Sequence, residues 1–185
     1  SNYGLARSII EGVSEVVQRY GQAIILEDDI LVSPYFIEYM NSALNYYRND
    51  ERVASIHGYN YPCFKGEGLP YFIKGADCWG WATWKRAWSR LSHNSAELLS
   101  QLRSPARRRE FDMGGSYPYF KMLEQQVAGK MDVWGVRWYA SMFLQGGLCL
   151  YPTQSLVANI GMDGSGIHCG ETTTFDVPLS PLSSW

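Results

Sequence analysis

Apolar residues recur at Leu5, Ile9, Val13, Val16 and Val17, at spacings of three and four that predict a helix over residues 3–20. A different rhythm follows. Ala23-Ile24-Ile25-Leu26 is an unbroken apolar run, which predicts a strand over 23–27 buried on both faces and ended by the acids Glu27-Asp28-Asp29. Helical spacing returns over 35–47, with Pro34 in the first turn and Ser33 as N-cap. Val53-Ala54-Ser55-Ile56-His57-Gly58 predicts a second buried strand, residues 59–68 a loop, and 71–74 a short strand. Beyond these, the pattern gives a helix over 85–91, a polar helical region reaching Arg109, helices over 116–128 and 136–144, and short strands at 148–151 and 156–159. Helices alternating with buried strands imply an α/β/α sandwich with a mostly parallel mixed sheet. Residues 1–170 carry that pattern, whereas 171–185 have Thr, Pro and Ser but no period and predict a loosely ordered tail.

One stretch fits neither period. In Ala76-Asp77-Cys78-Trp79-Gly80-Trp81-Ala82-Thr83-Trp84, bulky rings alternate with small residues, and Gly80 between two Trp lets the backbone pass close to another surface.

Composition narrows the function classes. With 46% apolar and 18% charged residues, the 185-residue chain predicts one compact domain. A net charge of −2 gives no electrostatic case for nucleic acid as a partner. No apolar stretch is long enough to span a bilayer. Seven Trp and thirteen Tyr suit both core packing and stacking on sugars. Cys63, Cys78, Cys149 and Cys169 form no C-x-x-C pair, which reads as free thiols in a reducing compartment and predicts a cytoplasmic location. A Cys149–Cys169 disulfide in a secreted protein is the alternative. Arg107-Arg108-Arg109 is most simply a solvated helix face, with contact at the inner face of a membrane as the second reading.

Three successive carboxylates at a strand end repel one another unless a cation joins them, and an oxygen-only set suits Mg²⁺ or Mn²⁺. The end of a buried strand is also where open α/β sheets bind ligands. The simpler alternative is a solvated acidic turn at the start of the next helix.

Four segments occur in a suggestive order: Ile24-Ile25-Leu26-Glu27-Asp28-Asp29; Trp79-Gly80-Trp81; Asp132-Val133-Trp134 with Arg137-Trp138; and residues 159–168, ending in Gly164-Ser165-Gly166-Ile167-His168. Together they resemble the GT-A glycosyltransferases, specifically the inverting branch that includes N-acetylglucosaminyltransferase I and its bacterial relatives. The resemblance implies a Rossmann-like GT-A domain and the transfer of a sugar from a nucleotide diphosphate sugar to a glycan or polysaccharide hydroxyl. It implies that Asp29 ligates Mn²⁺ or Mg²⁺, that Glu27 and Asp28 hold the donor's sugar and ribose side, and that Asp132 is the catalytic base. Trp79, Gly80, Trp81, Trp134 and Arg137 would shape the substrate pocket, and Gly164, Ser165 and Gly166 would belong to a loop over the donor. His168 is an ambiguous metal ligand, since a lone histidine is as readily structural. Family members carry a preceding βαβ region that grips the nucleotide base. The chain is therefore expected to be the C-terminal portion of such a domain, N-terminally truncated and inactive alone. A non-catalytic carbohydrate-binding or structural module derived from this fold is the alternative function. Asp132 has its own plain reading as a helix N-cap, and Asp163 as a turn residue.

Overall fold

A computed structural model of the chain describes residues 4–62, 69–162 and 172–179. Helix α1 (Leu5–Tyr20) buries Ala6, Val13 and Val17, and ends at Gly21, whose φ of 81° suits a residue without a side chain. Strand β1 (Gln22–Ile25) follows, then the acidic turn, the short strand β2 (Ile30–Val32) and helix α2 (Phe36–Tyr46). Ser33 is buried, and its carbonyl and hydroxyl accept from the Phe36 and Tyr35 amides as the chain enters α2.

The central sheet adds β3 (Val53–His57), β4 (Tyr71–Lys74), β5 (Trp81–Trp84) and β6 (Leu148–Tyr151) in the order β1-β5-β3-β6-β4. The expected mostly parallel sheet is corrected here. Three of the four pairings are antiparallel, and β3 with β6 is the parallel one. Helix–strand alternation foretold that β1 and β3 would run the same way, and they do. It could not foretell that β5 returns between them, antiparallel to both. The two short strands β2 and β7 (Val157–Asn159) form a separate antiparallel ribbon.

Helices cover both sheet faces. On one face, Phe36, Tyr39, Met40, Ala43 and Leu44 of α2 pack with Ile56, Ala82, Trp84 and Leu150. On the other, α1, α3 (Lys85–Trp88) and α7 (Trp134–Leu144) enclose four indoles, with Trp81 stacked on Trp134 at 5.4 Å and flanked by Trp88 and Trp138. A third cluster joins α7 to α4 (Ser95–Gln101), α5 (Pro105–Phe111) and α6 (Tyr119–Val127). Asn94 and Ser104 cap α4 and α5 with their side chains. Arg107, Arg108 and Arg109 are exposed on α5, with Arg108 lying over the Phe120 ring. Residues 172–179 have no helix or strand, but Phe175 and Val177 pack against the core and Tyr59 donates to the Phe175 carbonyl. Cys149 is a buried free thiol and Cys78 a half-buried one. No helix among the described residues is long and apolar enough to cross a membrane.

The close backbone approach expected at Gly80 is present. Its φ is +57°, and a Cβ there would lie 2.7 Å from a Val157 methyl. The Gly58 amide donates to the Gly80 carbonyl at 2.7 Å, and the Gly58 carbonyl accepts from Leu156. The β3 end, the β5 start and the β7 start are thereby tied together. Gly80→Ala combines a left-handed backbone with overpacking and should destabilise the fold by about 2–4 kcal/mol, read from the urea midpoint at unchanged slope.

Candidate functional site

The acidic turn is held from two sides. The Ile30 amide donates to the Glu27 carbonyl, and the Ile160 amide donates to the Asp29 carbonyl, so the turn is docked against the chain that leaves β7. Glu27 is half-buried, Asp28 exposed and Asp29 half-buried. The Asp29 carboxylate lies against Gly161 so closely that a Cβ at Gly161 would overlap it. Its Oδ1 is buried and has no hydrogen-bond partner among the described residues. A lone carboxylate oxygen in that position is costly unless a cation or donor meets it.

Burial, followed by the like charges of Asp29 and Asp28, pushes the Glu27 carboxyl above the usual range, opposed by a hydrogen bond with the Trp134 side chain. These features fit a hard divalent cation, which is commonly held by one or two carboxylates together with substrate phosphates. No group of three or more candidate ligands occurs among the described residues. Gly164, Ser165, Gly166 and His168 lie outside the described residues.

The remaining sequence-predicted residues divide. Trp79 is half-buried, packs edge-on against Tyr59 and Phe175, and lines a cavity of about 740 Å³. Trp81, by contrast, is fully buried in the indole cluster, and Trp134 is buried with it. Trp134 touches the site through Glu27. Gly80 serves backbone packing. Asp132 is exposed on the segment before α7, 3.1 Å from the Arg137 guanidinium, and accepts from Gln126. It does not cap the helix; Gln126 instead accepts from the Val133 amide. Val133, Gly135 and Val136, immediately downstream, line the same cavity.

The floor of that cavity holds a group that the sequence reading passed over. Asp77 Oδ2 accepts from Tyr61 at 2.6 Å and from Tyr151 at 3.1 Å, while Oδ1 accepts from the Cys78 amide at 2.8 Å. His57 is buried on β3, with its Nδ1 3.9 Å from Asp77 and its Nε2 accepting from the Trp79 amide. An accepting Nε2 puts the proton of the neutral ring on Nδ1, facing Asp77. Burial pushes His57 below its ordinary range despite Asp77. Asp77 is held below the carboxylate range: burial opposes this, but the nearby His57 and the donated hydrogen bonds outweigh it. Burial raises the Cys78 thiol, and Asp77, Glu27 and Asp29 all add to the effect; Cys78 lines the cavity next to Asp77. An acid embedded among aromatic and small residues, Ala76-Asp77-Cys78-Trp79, was the available signal for this group.

Searched against models of known protein families and against curated proteins, the chain matches none.

Opposite pH effects follow. Lowered folded-state values at His57 and Asp77 mean that stability is full above 6.5, declines as His57 takes a proton in the unfolded chain, and declines again below 3.8 with Asp77. His57→Gln should flatten the first step in a series of urea titrations. The raised Glu27 value works the other way, so Glu27→Gln should raise the metal-free melting temperature at pH 7 and lose that gain below pH 4.5.

Proposed function

We propose that the chain belongs to a metal-dependent inverting glycosyltransferase that moves a sugar from a nucleotide diphosphate sugar to a glycan or polysaccharide hydroxyl. The observation that carries this reading is the buried Asp29 oxygen, without a hydrogen-bond partner among the described residues, in the acidic turn between β1 and β2; the same domain holds a cavity of substrate size lined by Cys78 and Trp79. The ordered resemblance of the acidic turn, Trp79-Gly80-Trp81 and Asp132-Val133-Trp134 supports it.

Asp29 would hold Mn²⁺ or Mg²⁺, with Glu27 and Asp28 on the donor's sugar and ribose side. When bound, the ion offsets the charge that develops on the leaving diphosphate, a contribution of several kcal/mol. The chain's own residues do the rest. Trp79 and Gly135 shape the pocket wall, and Trp134 holds the Glu27 carboxylate by a hydrogen bond. Asp132, one residue before the cavity-lining Val133, takes the proton from the acceptor hydroxyl, and Arg137 and Gln126 fix its carboxylate for that step. Single displacement by that hydroxyl inverts the anomeric centre. A retaining glycosidase would need two carboxylates flanking the bond at a short separation.

Calorimetric titration with a panel of nucleotide diphosphate sugars, with and without Mn²⁺, tests the assignment. Metal-dependent binding that vanishes in Asp29→Ala is expected; binding indifferent to both metal and Asp29 would overturn it. Binding of glycans alone would favour the non-catalytic module. Asp132→Asn should leave donor binding intact and lower transfer by a factor on the order of 10²–10⁴, measured as product per enzyme per minute.

A further inference from the structure

The cavity above Asp77 has walls that are mostly hydrocarbon and ring, including Tyr119, Met122, Val136, Tyr139 and Phe143. At about 740 Å³ it falls in the size range that encloses drug-sized ligands. Its polar content is confined to a few groups. Among the described lining residues the cation is Lys74, which is ion-paired with Glu110 at 2.8 Å and lies over the Phe143 ring, so these residues offer no free positive charge to an anion. At the floor, Asp77 Oδ2 accepts from two phenols, whereas Oδ1 accepts from the Cys78 amide at 2.8 Å. A carboxylate oxygen has two acceptor sites, and the backbone hydrogen bond to Oδ1 among the described residues occupies one of them, on a side chain still 16% exposed. The surrounding charge is negative, since both Glu27 and Asp29 act on the Cys78 thiol beside it.

We propose that this cavity binds a neutral glycoside with an apolar aglycone, the hydrocarbon lying among Tyr119, Met122, Val136 and Phe143 and a sugar hydroxyl donating to Asp77 Oδ1. Anions are rejected by the floor carboxylate. A bare sugar leaves most of the apolar wall exposed to water. Designating this glycoside the acceptor rests on the transferase reading, but its binding does not.

The test uses the full chain and calorimetry, with octyl β-glucoside below its micelle concentration as the probe and glucose and octyl sulfate as comparators, in the absence of nucleotide and metal. Saturable binding of octyl glucoside is expected, roughly tenfold or more tighter than either comparator. Met122→Trp, which fills the cavity, should abolish it, and Asp77→Asn should narrow the preference over octyl sulfate. Equal binding of octyl sulfate, or undiminished binding by Met122→Trp, overturns the proposal, and the latter holds even if Asp77→Asn does not fold. Because neither donor nor metal is present, failure here leaves the Asp29-dependent titration untouched. The converse holds equally.

Discussion

A single close backbone approach organises this chain. Gly58, at the end of β3, and Gly80, at the start of β5, touch through a 2.7 Å hydrogen bond, and Val157 of β7 fills the space that a side chain on either would need. Everything of chemical interest is suspended from that contact. The ribbon of β2 and β7 carries the acidic turn on one side, and Asp77 to Trp79 enters β5 on the other. Because packed interiors deform little, the relative placing of the β3 end, the β5 start and β7 is set by glycine backbone rather than by mobile side chains.

Much of the secondary structure was written in local pattern. The spacing of Val13, Val16 and Val17 gave α1, and the runs at 71–74 and 148–151 matched β4 and β6. β5 escaped because Trp81, Ala82, Thr83 and Trp84 are all buried, so no polar alternation marks them. Strand order was illegible for a different reason. Pairing is decided between segments distant in sequence, and nothing near residue 81 announces that it will separate β1 from β3. The site divides along the same line. Glu27-Asp28-Asp29 is contiguous and stood out, whereas Asp77 and Tyr151 are 74 positions apart and meet only after the sheet closes.

The two carboxylate centres manage charge in contrasting ways. At Asp77 the protein supplies three donors, and the anion is stabilised at its own expense of conformational freedom. At the acidic turn it supplies too few, leaving Glu27 reluctant to ionise and Asp29 with an unmatched oxygen. Completion from outside suits the second centre and is only partly needed at the first.

Cys149 illustrates how the same sheet controls reactivity. Its thiol is 1% exposed on β6, and burial pushes it up to about 12. Thiolate, the form that attacks alkylating reagents and disulfides, is therefore almost absent while the strands stay paired. Modification of this sulfur reports opening of the sheet, and keeps pace with that opening wherever the reagent acts faster than the strands re-pair.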